Sequence, residues 1–251
     1  MNTIASQSSI VQSRAYAGTE LEAMAFAENY HRWILETFKP YFGKHLVEVG
    51  SGSGSFAEML VGDQVETLSL VEPAEGMYKT LNERVRSLNT ETQIKTYNAV
   101  FTEVAEQIKL SQGPDSIIYV NVLEHIAEDE VELKAVHQTL GPGGRVFIFV
   151  PAFQWLFGEF DRQLGHHRRY TKAQLCEKCR QAGFKILVSK YMDVLGMFPW
   201  WLKYRLLRST TMDPRAVSLW DKYIVTVSRK MESAIQPPMG KSIILVGEVV
   251  R

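Results

Sequence analysis

Short runs of apolar residues alternate along most of this chain with longer stretches in which apolar residues recur every three or four positions. The short runs fall at residues 45–49, 67–71, 93–97, 115–120, 145–150 and 184–191, with a last one inside 241–250. Helical spacing occupies residues 23–39, 74–88, 128–140 and 171–182, with Pro40 ending the first, Gly141-Pro142-Gly143-Gly144 the third and Gly183 the last. The first helix has a cap and acidic first turn at Thr19-Glu20-Leu21-Glu22, and Phe26, Tyr30, Trp33 and Phe38 share one broad face. Strands alternating with helices predict an α/β protein with a largely parallel, doubly wound sheet. After Pro151 the rhythm breaks. Residues 152–170 read as a loop rich in aromatics and charges, and residues 193–239 as an amphipathic helical insert closed by Pro237-Pro238. The expected organisation is a flexible polar N-terminus (1–18), a core with its N-terminal helix (19–192), the insert or lid (193–239) and the last strand (240–251).

Composition narrows the function classes. With 251 residues, 28 basic and 28 acidic, the formal charge is zero, which argues against a dedicated nucleic-acid binder. No apolar run reaches the ~20 residues of a spanning helix, and the start of the chain shows no secretory pattern. A cytoplasmic protein is expected. Cys176 and Cys179 form one C-x-x-C on a predicted helix; a zinc site needs two more ligands, so no metal is implied.

The chemistry starts at Val47-Glu48-Val49-Gly50-Ser51-Gly52-Ser53-Gly54, where a strand runs into three glycines at alternate positions. Such a turn lets backbone approach a nucleotide-like ligand closely. Glu48 lies at the strand end, where a pyrophosphate would be repelled; an acid there suits a ligand with an ammonium group and no phosphate. Glu72 ends the second strand, placed to accept the two hydroxyls of a ribose.

This stretch resembles motif I of the class I S-adenosylmethionine (SAM)-dependent methyltransferases. Leu70-Val71-Glu72-Pro73-Ala74-Glu75-Gly76-Met77 resembles their second motif, Asn121-Val122-Leu123-Glu124-His125-Ile126 the motif after strand four, and Leu140-Gly141-Pro142-Gly143-Gly144 the turn before strand five. The likeness runs over residues 28–191. It implies a Rossmann-like seven-stranded sheet with an antiparallel last strand, and SAM as cofactor. Position by position, it implies that Gly50, Ser51, Gly52 and Gly54 pass under the methionyl part, Glu48 lies near its amino end, and Glu72 binds the ribose. Pro73 and Met77 flank the adenine, and Asn121 and Val122 line the reactive sulfur. Where many relatives carry an acid after strand three, this chain has Tyr97-Asn98-Ala99-Val100. The Asn98 side-chain oxygen then accepts the adenine amino group, with Ala99 and Val100 offering backbone. Tyr30 or His31 is a candidate for closing over the ligand, with core packing as the alternative.

Gly165-His166-His167-Arg168-Arg169-Tyr170 concentrates imidazoles, guanidiniums and a phenol after strand five. His167, His166, Tyr170 and, after strand four, His125 are the candidate catalytic residues; a histidine could deprotonate an acceptor. Arg168 and Arg169 could hold an acceptor carboxylate, or pair internally with Glu159 or Asp161 and hold the loop shut. Phe153, Trp155 and Phe157 could line an apolar acceptor pocket, or pack into the core. Three functions stay open on these residues: methylation of a small molecule, cyclisation of SAM on itself with release of methylthioadenosine, and binding of SAM without catalysis. The insert, with Trp200-Trp201, Arg205 and Arg208, reads as a lid, a homodimer contact or an interfacial helix.

Overall fold

A computed structural model describes residues 27–62 and 64–250. The expected flexible N-terminus and the cap at Thr19 lie outside the described residues. Helix α1 (Glu28–Phe38) leads into β1 (His45–Val49), and a short α2 (Ala57–Leu60) follows the glycine turn. The chain continues through β2 (Thr67–Val71), α3 (Glu75–Ser87), β3 (Gln93–Tyr97), α4 (Phe101–Gln112), β4 (Ser116–Val120), α5 (Asp129–Thr139) and β5 (Arg145–Pro151). Helix α4 is absent from the pattern read above, although Phe101, Val104, Ala105 and Ile108 recur at helical spacing and Gly113 ends it in the left-handed region. The segment read as a loop is partly helical: it holds a 3-10 turn at Gln154–Leu156 and α6 (Glu159–Gln163). Then come α7 (Lys172–Gln181), with Thr171 and Gln174 in a capping box, and β6 (Phe184–Met192).

The seven strands lie in the order β3-β2-β1-β4-β5-β7-β6, where β7 is Ser242–Val249. β1 to β5 pair in parallel, while β7 runs antiparallel to both β5 and β6. Side chains alternate across the sheet, so each strand feeds two cores. Val47, Ile117, Tyr119 and Ile148 pack with Phe101, Ile108, Leu133, Val136 and Leu175 on one face. Leu46, Ile118, Phe147 and Phe149 pack with Tyr30, Ile34, Phe38, Leu60 and Leu81 on the other. Full burial stabilises each such side chain by about 1.5–3 kcal/mol.

The region between β6 and β7 is helical. α8 (Val194–Trp200) widens into π-type turns at Trp201–Leu206; α9 (Pro214–Leu219) widens at Trp220–Val225 and continues as α10 (Thr226–Ala234). Two buried polar contacts tie it to the core. The Asp221 carboxylate accepts the backbone N–H of Asn29 (3.0 Å) and of Tyr30 (2.9 Å) at the start of α1, where Ala27 has no side chain able to cap. Lys241, just before β7, pairs with Asp193 at 2.8 Å. Its ammonium lies 3.9 Å from the Trp220 ring centroid and 4.7 Å from that of Tyr30.

Candidate active site

The carboxyl ends of β1, β2 and β4 meet at the glycine turn. The N–H groups of Gly50 and Ser51 both donate to the Val71 carbonyl, which folds the turn back over β2. Gly50, Gly52 and Gly54 all have positive φ, yet their surroundings differ. A Cβ on Gly50 would meet Val122 at 2.5 Å, and one on Gly54 would meet Leu81 at 2.8 Å. At Gly52 it would meet nothing within 4 Å. Two glycines are therefore needed for packing, and the middle one opens on free space. The Glu72 carboxylate holds this middle residue, accepting the Gly52 N–H on one oxygen and the Ala74 N–H on the other, both at 2.8 Å. Each oxygen keeps a further lone pair for a hydroxyl donor.

Beneath the turn, Glu48 is buried, and its Oε2 accepts no hydrogen bond from any described residue. Burial pushes its carboxyl up to about 8; Ser51 opposes this and neighbouring Glu72 adds to it. Ser51 is buried and donates to the Glu48 carbonyl. Asn121, at the end of β4, holds a left-handed backbone at φ 54° without being glycine, the kind of local strain that collects at functional sites. Val122 packs against Gly50. Asn98 donates its amide to the carbonyls of Glu72 and Pro73, which fixes its side chain beside the β2 end with the oxygen as the remaining acceptor. Met77 and Ala99 are buried, while Pro73 and Val100 are half-buried. These residues fit SAM: a buried acid lacking a cationic partner lies under a turn that leaves room only at Gly52, with a second acid braced for hydroxyls.

The string after β5 is mostly internal. Tyr170 is buried, donating to Asp129 Oδ2 at 2.8 Å and to the Leu123 carbonyl. Burial and the facing Asp129 raise its phenol far out of the neutral range, so a catalytic Tyr170 is corrected to a structural one. Arg168 pairs with Asp129 at 2.9 Å and donates to the Ala127 carbonyl. Arg169 is buried, forked onto Asp161 at 2.7 and 2.8 Å, with Trp200 over its guanidinium. The Arg169 guanidinium is closed to an acceptor carboxylate and makes the internal pair with Asp161 that the sequence offered, whereas Arg168 is partly exposed and takes Asp129 as its partner instead. His166 bonds Asp161 through Nδ1 at 3.0 Å. His125 meets the His166 ring edge to face at 4.6 Å and bonds the Leu164 backbone carbonyl; burial lowers it to about 3. His167 alone of the three carries its ring exposed, its backbone N–H held by the Glu124 carbonyl at 2.8 Å. Glu124 itself is fully buried, and both its carboxylate oxygens lack hydrogen-bond partners among the described residues. Sequence reading assigned it no role.

Three aromatics do not form one pocket. Phe153 stacks on Tyr191, Trp155 is exposed beside it, and Phe157 lies under Arg162. Tyr30 is likewise corrected: its hydroxyl bonds Ser242 and its ring packs between Phe149 and Trp220, while His31 abuts Phe56 edge-on. A cleft of about 430 Å³ between α6 and the insert, lined by Glu159, Arg162, Tyr204, Arg205 and Arg208, holds none of the residues assigned to SAM.

A family profile described as "Methyltransferase domain" matches residues 22–189. The chain belongs to that family. Membership makes SAM the cofactor and SAM-dependent methyl transfer the class of enzyme. Two curated relatives are named ubiquinone biosynthesis O-methyltransferase. The one from Vibrio atlanticus is 27% identical over 115 residues, which is 46% of this chain and 46% of that protein. The one from Aeromonas salmonicida is 22% identical over 172 residues, 61% of this chain and 68% of that protein. Among solved structures, phosphoethanolamine N-methyltransferase 2 from Haemonchus contortus in complex with SAM shares the fold. Its TM-score is 0.60 at 15% identity, covering 93% of this chain and 58% of that one.

Proposed function

We propose that this protein methylates a small-molecule acceptor. The observation that carries the donor side is the buried Glu48 oxygen without a hydrogen-bond partner beneath a turn open only at Gly52. SAM supplies a methyl group on a sulfonium, so transfer needs alignment and exclusion of water more than an elaborate catalytic apparatus. Glu48 holds the ammonium end. Glu72 spends its remaining lone pairs on the ribose hydroxyls. Asn98 accepts from the adenine edge, with Pro73 and Met77 on its faces, and Asn121 and Val122 stand beside the reacting carbon. The region between β6 and β7, tied down by Asp221 and Lys241, roofs the neighbouring strand ends against water. His167, the exposed imidazole of its string, takes the acceptor proton. The names of the two curated relatives make a hydroxyl the first acceptor to test. Two buried free cysteines suit a reducing cytoplasm, and exposed Phe198, Leu207, Leu219 and Val227 support a homodimer contact at the insert. No helix among the described residues is long and apolar enough to cross a membrane.

Calorimetry with SAM and S-adenosylhomocysteine tests the donor side: binding is expected, and Glu72→Ala should abolish it. Absence of binding by the native chain refutes the reading. Product analysis then separates transfer from cyclisation. Methylthioadenosine formed from SAM alone would overturn methylation; S-adenosylhomocysteine formed only with a phenolic acceptor such as catechol supports it.

A further inference from the structure

Glu124 and His125 follow β4, His166 follows α6, and the fold brings the three together. One carboxylate oxygen and one nitrogen from each ring all lie within 4.8 Å of one another. His166 Nε2 stands 4.0 Å from Glu124 Oε1, too far for a hydrogen bond. Two atoms bound to one cation at about 2.1 Å lie at most about 4.2 Å apart, so a small inward rotation of the side chains brings the set to ligand distance.

The second nitrogen of each ring is already engaged. His166 Nδ1 is bonded to Asp161 at 3.0 Å, and His125 is bonded to the Leu164 carbonyl. Metal-binding histidines are held in just this way, one nitrogen oriented by an oxygen so that the other presents its lone pair. Charge points the same way. Asp161 is offset by Arg169 at 2.7 Å. Glu124, with 0% exposure, has no such direct partner and no hydrogen bond to either oxygen from the described residues. A buried carboxyl in that state either keeps its proton or meets a cation, and a bound cation would displace the proton.

We infer that Glu124, His125 and His166 form a binding site for a divalent first-row transition cation. Two imidazoles and one carboxylate, with coordination positions left over, match zinc and its neighbours; magnesium and calcium prefer all-oxygen shells. The site shares no residue with the proposed SAM cradle and can be tested without turnover.

The test is titration of the full chain, freed of metal by chelation, with Co²⁺. The readouts are visible ligand-field absorption and binding stoichiometry. One equivalent is expected, displaceable by Zn²⁺, with Glu124→Gln and His166→Asn each weakening it at least about tenfold and the control His45→Asn, at the start of β1, matching the native chain. SAM affinity and thermal melting of every variant show that the fold and the donor site survive. Glu124→Gln keeps the side-chain shape, so it carries the test should His166→Asn fail to fold. No Co²⁺ bound by the native chain, or equal binding in Glu124→Gln, overturns the inference; the latter means an adventitious ion only.

Discussion

Replacing Gly52 by alanine separates the cost of making the turn from the cost of filling the cradle. Gly52 sits at φ +53°, and its added Cβ meets no atom within 4 Å. Left-handed backbone costs a residue with a Cβ about 1–2 kcal/mol, which in a chain of this length lowers the melting temperature by about 2–8 °C. Gly50→Ala has the same backbone cost at φ +70° and also drives a methyl to 2.5 Å from Val122. Overpacking of that kind adds about 1–3 kcal/mol, so Gly50→Ala should be the less stable of the two. SAM affinity should rank them the other way. The Gly52 methyl occupies the space left for the ligand and should weaken binding by at least about tenfold, or 1.4 kcal/mol. Adding Val122→Ala to Gly50→Ala should recover stability, and adding it to Gly52→Ala should not recover affinity. Melting curves and calorimetry on the four variants decide it. A Gly52→Ala protein that binds SAM as tightly as the native chain would refute the assignment of this gap to the cofactor.

Three further outcomes follow from the buried charges. Lys241→Met strands Asp193 in the interior and should cost about 3–5 kcal/mol in urea unfolding, while Lys241→Met combined with Asp193→Asn should recover most of it. Burial pushes Glu48 up to about 8, so the folded chain holds a proton that the unfolded chain, titrating near ~4.3, has released. Ligand-free stability should therefore fall as pH rises from about 5 to 8. Glu48→Gln should flatten that slope by up to about 1.4 kcal/mol per pH unit, and native SAM affinity should rise over the same interval as Glu48 ionises; equal slopes in native and variant protein would refute this. Tyr170→Phe removes a hydrogen bond to Asp129, which keeps Arg168 and Lys178. It should cost about 1.5–3 kcal/mol in stability and leave kcat within a few-fold, whereas a large fall in kcat would restore Tyr170 to the chemistry.

What was legible in the sequence is what depends on neighbours along the chain. The strand entering Gly50-x-Gly52-x-Gly54, the acid ending β2 and the glycines closing α5 are local signals, and a largely parallel sheet follows from the alternation of strands with helices. Helix α4 was missed: Phe101, Val104, Ala105 and Ile108 recur at helical spacing, but exposed Leu110 and its polar neighbours blur the apolar stripe. The string at 165–170 shows the limit. Which of its charges are free depends on Asp129, which comes from α5, and on Asp161 of α6 turning back on Arg169. Asp161 was among the partners its closeness in sequence offered, whereas nothing local announces Asp129. The same holds for Glu124: its isolation among buried groups, and its approach to His166, exist only in three dimensions. Tyr30 misled because an aromatic on an apolar helix face reads alike whether it meets a ligand or, as here, Phe149 and Trp220.

Helix α1 does not own its first turn. Ala27 offers no side-chain oxygen, and the two amides that need one are satisfied by Asp221, from the far end of the chain. Any swing of the roof that admits an acceptor must draw that carboxylate away and leave both amides to water, at about 1 kcal/mol for a lost cap. The two amides thus act as a latch, and the rate at which Asn29 and Tyr30 exchange their hydrogens with solvent becomes a clock for how often the roof lifts. A helix that packs as plain scaffold is, at its leading end, the gauge of the enzyme's breathing.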